Sequence, residues 1–139
     1  MKKLLFLLVF VAIGKIGYSQ QVTAEAAKEA VKSDMAVFVW ESQAHDFGKI
    51  KQGVPVTHEF KFTNKGKVPL VITNVQASCG CTTPDWSKEP IPPGQQGFIK
   101  ATFNAAAAGA FNKSVTVTAN VETGFMQLSI KGEVSTEVN

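Results

Sequence analysis

The clearest pattern in the chain lies between Val54 and Thr63, where apolar and polar residues alternate. Val56, His58, Phe60 and Phe62 fall on one face, and Thr57, Glu59, Lys61 and Thr63 on the other. A period of two marks a half-buried β-strand, because successive side chains point to opposite faces. The same texture starts at Met35. Val37 to Trp40 predicts a strand, and Ala44 to Ile50 a second, edge-like one. Asn64-Lys65-Gly66-Lys67 is a turn signal, after which Val68 to Val75 returns as the next strand. Ile91-Pro92-Pro93-Gly94 is a rigid turn, since proline donates no backbone N–H and does not fit a central strand.

Three more runs complete the pattern. Gly97 to Phe103 carries Ile99, Ala101 and Phe103 on one face. Phe111 to Ala119 turns Val115, Val117 and Ala119 inward, and Phe125 to Val134 does the same with Met126, Leu128, Ile130 and Val134. Phe38 and Phe98 fall opposite these inward sets. About seven strands with turn signals between them predict an all-β fold, an immunoglobulin-like antiparallel β-sandwich over residues 37–136.

The N-terminus has a different texture. Met1-Lys2-Lys3 is a basic start, Leu4 to Ile13 is an apolar run, and Gly17-Tyr18-Ser19 offers small residues where a signal peptidase reads. Residues 1–19 are expected to be a cleaved signal peptide. The apolar run is shorter than the about 20 residues a membrane span requires, so no membrane anchor is expected after cleavage. Residues 20–36 form an N-terminal segment in which Val22 to Ser33 favours helix through Ala, Glu and Lys. Its apolar positions are nearly all Ala and Val, too small to bury much surface, so a loosely docked helix and a partner-binding helix both fit.

Cleavage changes the charge argument. The whole chain carries +3, but Lys2, Lys3 and Lys15 precede the expected cut, leaving 11 lysines against 11 acidic residues. Every basic residue is lysine, so the bidentate arginine forks that favour phosphates and base edges are missing. No nucleic-acid partner is expected. A periplasmic or secreted location is the expectation that follows from the signal.

The only two cysteines are Cys79 and Cys81, with Gly80 between them. A bridge closing about three residues would stabilise the fold by only about 1.5 kcal/mol on loop entropy, before any strain is subtracted. Stapling therefore explains the pair poorly. Three readings stand. The pair forms a labile, easily reduced bridge. The reduced thiols bind a soft ion, copper or zinc, with His45 and His58 as the histidines available to complete the site. Or the sulfurs pack as small apolar groups beside Trp86. A C-x-C unit has neither the four ligands of a closed zinc site nor the two-residue spacer of the C-x-x-C redox motif.

Among the other candidates, His58 reads as a core or rim histidine and His45 as a loop or edge residue. His45 and Asp46 are adjacent on a strand and point to opposite faces, so they form no catalytic dyad. Trp86 and Phe98 are candidates for a partner surface. Neither G-x-S-x-G nor H-E-x-x-H occurs, and the glycines compose no phosphate loop, so no enzyme beyond thiol chemistry is expected.

His45-Asp46-Phe47-Gly48, Phe60-Lys61-Phe62-Thr63-Asn64, Pro69-Leu70, Ser78-Cys79-Gly80-Cys81-Thr82 and Pro92-Pro93-Gly94 together resemble the bacterial domain of unknown function 1573 family. The similarity covers roughly residues 39–133, and S-C-G-C-T is its most specific part. The resemblance implies a small exported protein with an Ig-like fold similar to hydin-type (ASH) and major sperm protein domains. It implies no activity. The two functional expectations are a non-catalytic binding or structural module for a protein partner or cell-envelope component, and a thiol-based redox or copper/zinc role at Cys79 and Cys81.

Overall fold

The computed structural model describes residues 34–137. The expected signal peptide and the Val22 to Ser33 segment lie outside the described residues. Eight strands form: β1 (Phe38–Trp40), β2 (Ala44–Lys51), β3 (Val56–Asn64), β4 (Ile72–Ala77), β5 (Thr82–Trp86), β6 (Gln96–Phe103), β7 (Gly109–Ala119) and β8 (Phe125–Ser135). They pack as two four-stranded sheets, β1-β3-β6-β5 and β2-β8-β7-β4. All ladders are antiparallel except β2 with β8, which run parallel. No helix among the described residues is long and apolar enough to cross a membrane.

The period-two faces become the two inner surfaces. Phe60, Phe62, Ile99, Ala101 and Phe103 from one sheet and Val115, Val117, Leu128 and Ile130 from the other join one buried cluster. Full burial of each large apolar side chain contributes about 1.5–3 kcal/mol, which makes this cluster the main source of stability. Phe103 and Phe111 stack across the cluster with ring centroids 4.1 Å apart.

Two elements differ from the sequence reading. Thr82 to Trp86 forms a strand that is not among the runs predicted from the alternation. Pro84 is tolerated because β5 is an edge strand and pairs only with β6. Phe38 faces inward, opposite to expectation: Phe38 and Trp40 stack at 4.9 Å, and both rings lie against Phe62. β1 pairs with β3 in the register Trp40 to Phe62, which places both aromatics on the inner face.

The expected turn at Asn64 is more than a turn. Asn64 follows Phe60 and Phe62 on the inward side and is fully buried. Its Nδ2 donates to the carbonyls of Val68 (2.8 Å) and Ile91 (2.9 Å). Its Oδ1 accepts from the N–H groups of Gly66 (2.9 Å) and Val37 (3.3 Å). Its backbone N–H donates to Gln95 O at 2.9 Å, and its carbonyl accepts from Gly94 N at 2.6 Å. The Pro92-Pro93-Gly94 turn is closed by Gln95 N–H on Pro92 O, with Gly94 at φ +81 as such a turn demands. One side chain therefore ties the start of β1, the β3–β4 link and the loop before β6.

Asn64→Ala would leave three backbone groups without their partner, the Val68 carbonyl and the N–H groups of Gly66 and Val37, while the Ile91 carbonyl keeps the Leu70 N–H. Each group left unsatisfied costs about 1–3 kcal/mol, so even with partial solvation of the outer ones the loss is at least about 2 kcal/mol. Urea unfolding measures it; a change below about 0.5 kcal/mol, the range of ordinary surface substitutions, would show that water replaces the asparagine without cost.

Candidate functional site

Cys79 and Cys81 lie on the link from β4 to β5, at one end of the sandwich. β4 is an edge strand, not a central one, so the link crosses between edge strands of the two layers. The two cysteines are joined in a disulfide, with Cα atoms 5.3 Å apart. Of the three readings, metal binding needs thiolates and would require this bridge to be reduced first. Both sulfur-bearing residues are half-buried, Cys81 packs against the core, and Ser78 and Gly80 are exposed.

Hydrogen bonds independent of the bridge hold the loop. Ser78 N–H donates to Ser114 O (2.8 Å), and Ser114 N–H donates to Ser78 Oγ (3.1 Å). Asn104 N–H donates to Cys81 O at 3.0 Å, and Thr82 N–H donates to Cys79 O at 3.4 Å. The Thr82 hydroxyl, on a buried residue, sits 3.8 Å from Cys79 Sγ. Beside the loop is a cleft of about 200 Å³, lined by residues that include Cys81, Phe103, Asn104, Ala106–Ala108, Phe111 and Lys113.

The two histidines come together, but away from this loop. His45 on β2 and His58 on β3 stack face to face, with ring centroids 3.7 Å apart and planes within 8°. Phe47 meets His45 edge-on at 4.5 Å, and Phe60 meets His58 edge-on at 4.6 Å. The pair joins opposite layers of the sandwich. Among the described residues no group of three or more His, Cys, Asp or Glu is assembled, so neither histidine completes a ligand set with the cysteines. Burial lowers the His58 pKa below 6.5; the His45 charge lowers it further, and Glu59 partly offsets both. A buried imidazole resists protonation because the cation loses hydration.

Trp86 and Phe98 do not share a surface. Trp86 pairs in register with Ile99 and packs against the core, with Lys88 Nζ 2.9 Å from its ring centroid on the outer side. Phe98 lies on the outer face beneath Lys100, which is also paired with Glu59 at 3.4 Å. Of the large apolar residues among those described, Phe125 is the most exposed at 57%, and sequence alternation alone could have found it, since Met126 and Leu128 face inward.

The chain belongs to the family described as "Protein of unknown function (DUF1573)", whose model matches residues 38–134. No curated protein matches. Among solved structures, a protein of unknown function from Porphyromonas gingivalis W83 is similar with TM-score 0.65 and 16% identity over 74% of this chain. This chain spans about half, 49%, of that one. The ASH/PapD-like domain 7 of human CEP192 is similar with TM-score 0.62 and 7% identity, covering 75% of this chain and 89% of that domain. The YadV chaperone matches with TM-score 0.51 and 14% identity, over 70% of this chain and 52% of its own. At these identities the likenesses show the fold alone: an Ig-like β-sandwich, similar to that of PapD-like domains.

The histidine pair makes a pH prediction. The folded state holds His58 less readily protonated than the unfolded chain does. Its share of stability is therefore complete above pH about 6.5 and falls as pH drops below it, because protons bind first to the unfolded state. Thermal midpoints between pH 8 and 5 should decline in the wild type, and His58→Phe should flatten that decline. An unchanged slope in the variant would assign the effect elsewhere.

Proposed function

We propose that the protein is an exported Ig-like binding module, non-catalytic in that role, that takes an extended segment of a protein partner along the free edge of β4. The observation that carries this reading is how unequally the four sheet edges are guarded. Edge strands offer unpaired backbone groups, and proteins blunt them with short length, charges, proline or bulges.

β1 is three residues long. β2 carries Asp46, Lys49 and Lys51 and is bent by a bulge between Asp46 and Lys49, where Gly48 adopts φ +65 and donates to Asp46 Oδ1 at 2.8 Å. β5 contains Pro84. β4 has neither charge nor proline. It takes one irregular step between Ile72 and Asn74, then runs in regular register with β7 from Asn74 to Ala77.

Ser78 is hydrogen-bonded to Ser114, so alternation turns Asn74 and Gln76 toward β7 as well. The backbone groups of Val75 and Ala77 then face the open side. Each hydrogen bond made there by an added strand contributes about 0.5–1.5 kcal/mol, and side-chain pockets would supply selectivity. The likeness to PapD-like domains and a chaperone supports the same class of role.

Ala77→Pro removes a donor from the open edge and leaves the β7 ladder intact. Crosslinking in envelope extracts should yield a partner band with the wild type that disappears in Ala77→Pro and in Asn74→Lys/Gln76→Lys. The band should persist in Lys49→Ala on β2 and in Cys79→Ser/Cys81→Ser. A band indifferent to the β4 changes would move the binding surface elsewhere.

A further inference from the structure

We propose that the Cys79–Cys81 bridge is a thiol–disulfide exchange site that accepts two cysteine thiols carried on a polypeptide, with first attack at Cys81. The loop and its cleft, and not the β4 edge, would form this site. A disulfide kept for stability should hold something in place, and this one does not. The loop is already fixed on its β4 side by the reciprocal Ser78–Ser114 bonds, and on its β5 side by Asn104 N–H on Cys81 O. Thr82 N–H on Cys79 O closes the turn between them. Cutting the S–S bond leaves all four bonds unbroken. The ring it opens spans a sequence separation of two, so little chain entropy is released.

Access is equally specific. Gly80 is exposed, and a Cβ built on it would meet nothing within 4 Å. Cys81 borders the cleft of about 200 Å³, whereas Cys79 does not line it. Phe103, Phe111 and the alanines at 106–108 make the cleft mostly apolar, suited to apolar residues that flank a cysteine in a peptide, and Lys113 supplies the cation that draws in a thiolate. Cys79 Sγ has the Thr82 hydroxyl 3.8 Å away, so a departing Cys79 thiolate finds a donor ready to turn toward it.

The exchange balances without another reagent. A partner thiolate attacks Cys81 Sγ, the S–S bond breaks, and Cys79 leaves as a thiolate that takes up a proton. The partner's second thiolate then attacks the partner sulfur of the mixed disulfide, and Cys81 leaves in turn. The partner dithiol is oxidised to a disulfide, the Cys79–Cys81 bridge is reduced to two thiols, and the two partner protons end on the cysteines. The step is a single turnover.

The test uses the full mature chain, oxidised, with a reduced synthetic peptide bearing two cysteines among apolar residues, and glutathione as the comparison thiol. Reactions are acid-quenched, alkylated and weighed as intact protein. The bridge should open in native buffer with equimolar peptide disulfide, faster with the peptide than with glutathione. Reduction should leave near-ultraviolet circular dichroism unchanged and lower the thermal midpoint by no more than about 8 °C. Given the oxidised peptide, Cys79→Ser, which frees Cys81, should form the mixed disulfide roughly tenfold faster than Cys81→Ser, as access to the sulfur governs the rate. The proposal is overturned if the bridge opens only under denaturant, if reduction unfolds the domain, or if glutathione and peptide react alike. Equal reactivity of the two single variants would overturn the assignment to Cys81. The wild-type arms answer the question even where a variant fails to fold.

Discussion

The fold depends on one buried amide. Asn64 uses its backbone N–H and C=O and both side-chain polar atoms within a few ångströms, and together the bonds reach three separate stretches of chain. Hydrophobic burial drives the two sheets together but is non-directional, and it does not specify how the segments at the sheet ends are seated. The Asn64 bonds do that. They hold the start of β1, the link into β4 and the proline turn before β6 in one arrangement, because any alternative leaves a polar group buried without a partner.

At the other end of the sandwich a different constraint operates. The chain leaves β4, crosses between layers through Cys79-Gly80-Cys81, and enters β5 in the opposite sheet. The reciprocal serine bonds and the Asn104 contact seat this crossing against β6 and β7. None of these bonds uses a cysteine sulfur, and β4 runs directly into the bridged loop. The proposed edge binding and the proposed thiol exchange are separate, yet the topology puts both within one stretch, 72–81.

Much of this was legible in the chain. The alternation in β3, β6, β7 and β8 located the inner faces, because a side-chain period of two admits only one register with the apolar set buried. The Pro92-Pro93-Gly94 turn followed from its residue types. Strand β5 was not legible, since proline argues against a strand and only its edge position removes the objection. Asn64 was legible as a turn residue but not as a buried hub. The one clue was its place two residues after Phe62 in an inward series.

The sequence by itself determined the class of fold, the inner faces and the single pair of residues able to do thiol chemistry. These depend on short-range facts: side-chain alternation, turn chemistry and a C-x-C spacing. Tertiary structure alone decided which strands became edges, which edge lacks protection, and that His45 and His58, 13 residues apart, stack across the two layers. It also decided that the cysteines sit on a loop already held by other bonds. Those are relations between distant segments, set by how the sheets close on their shared core, and no local pattern carries them.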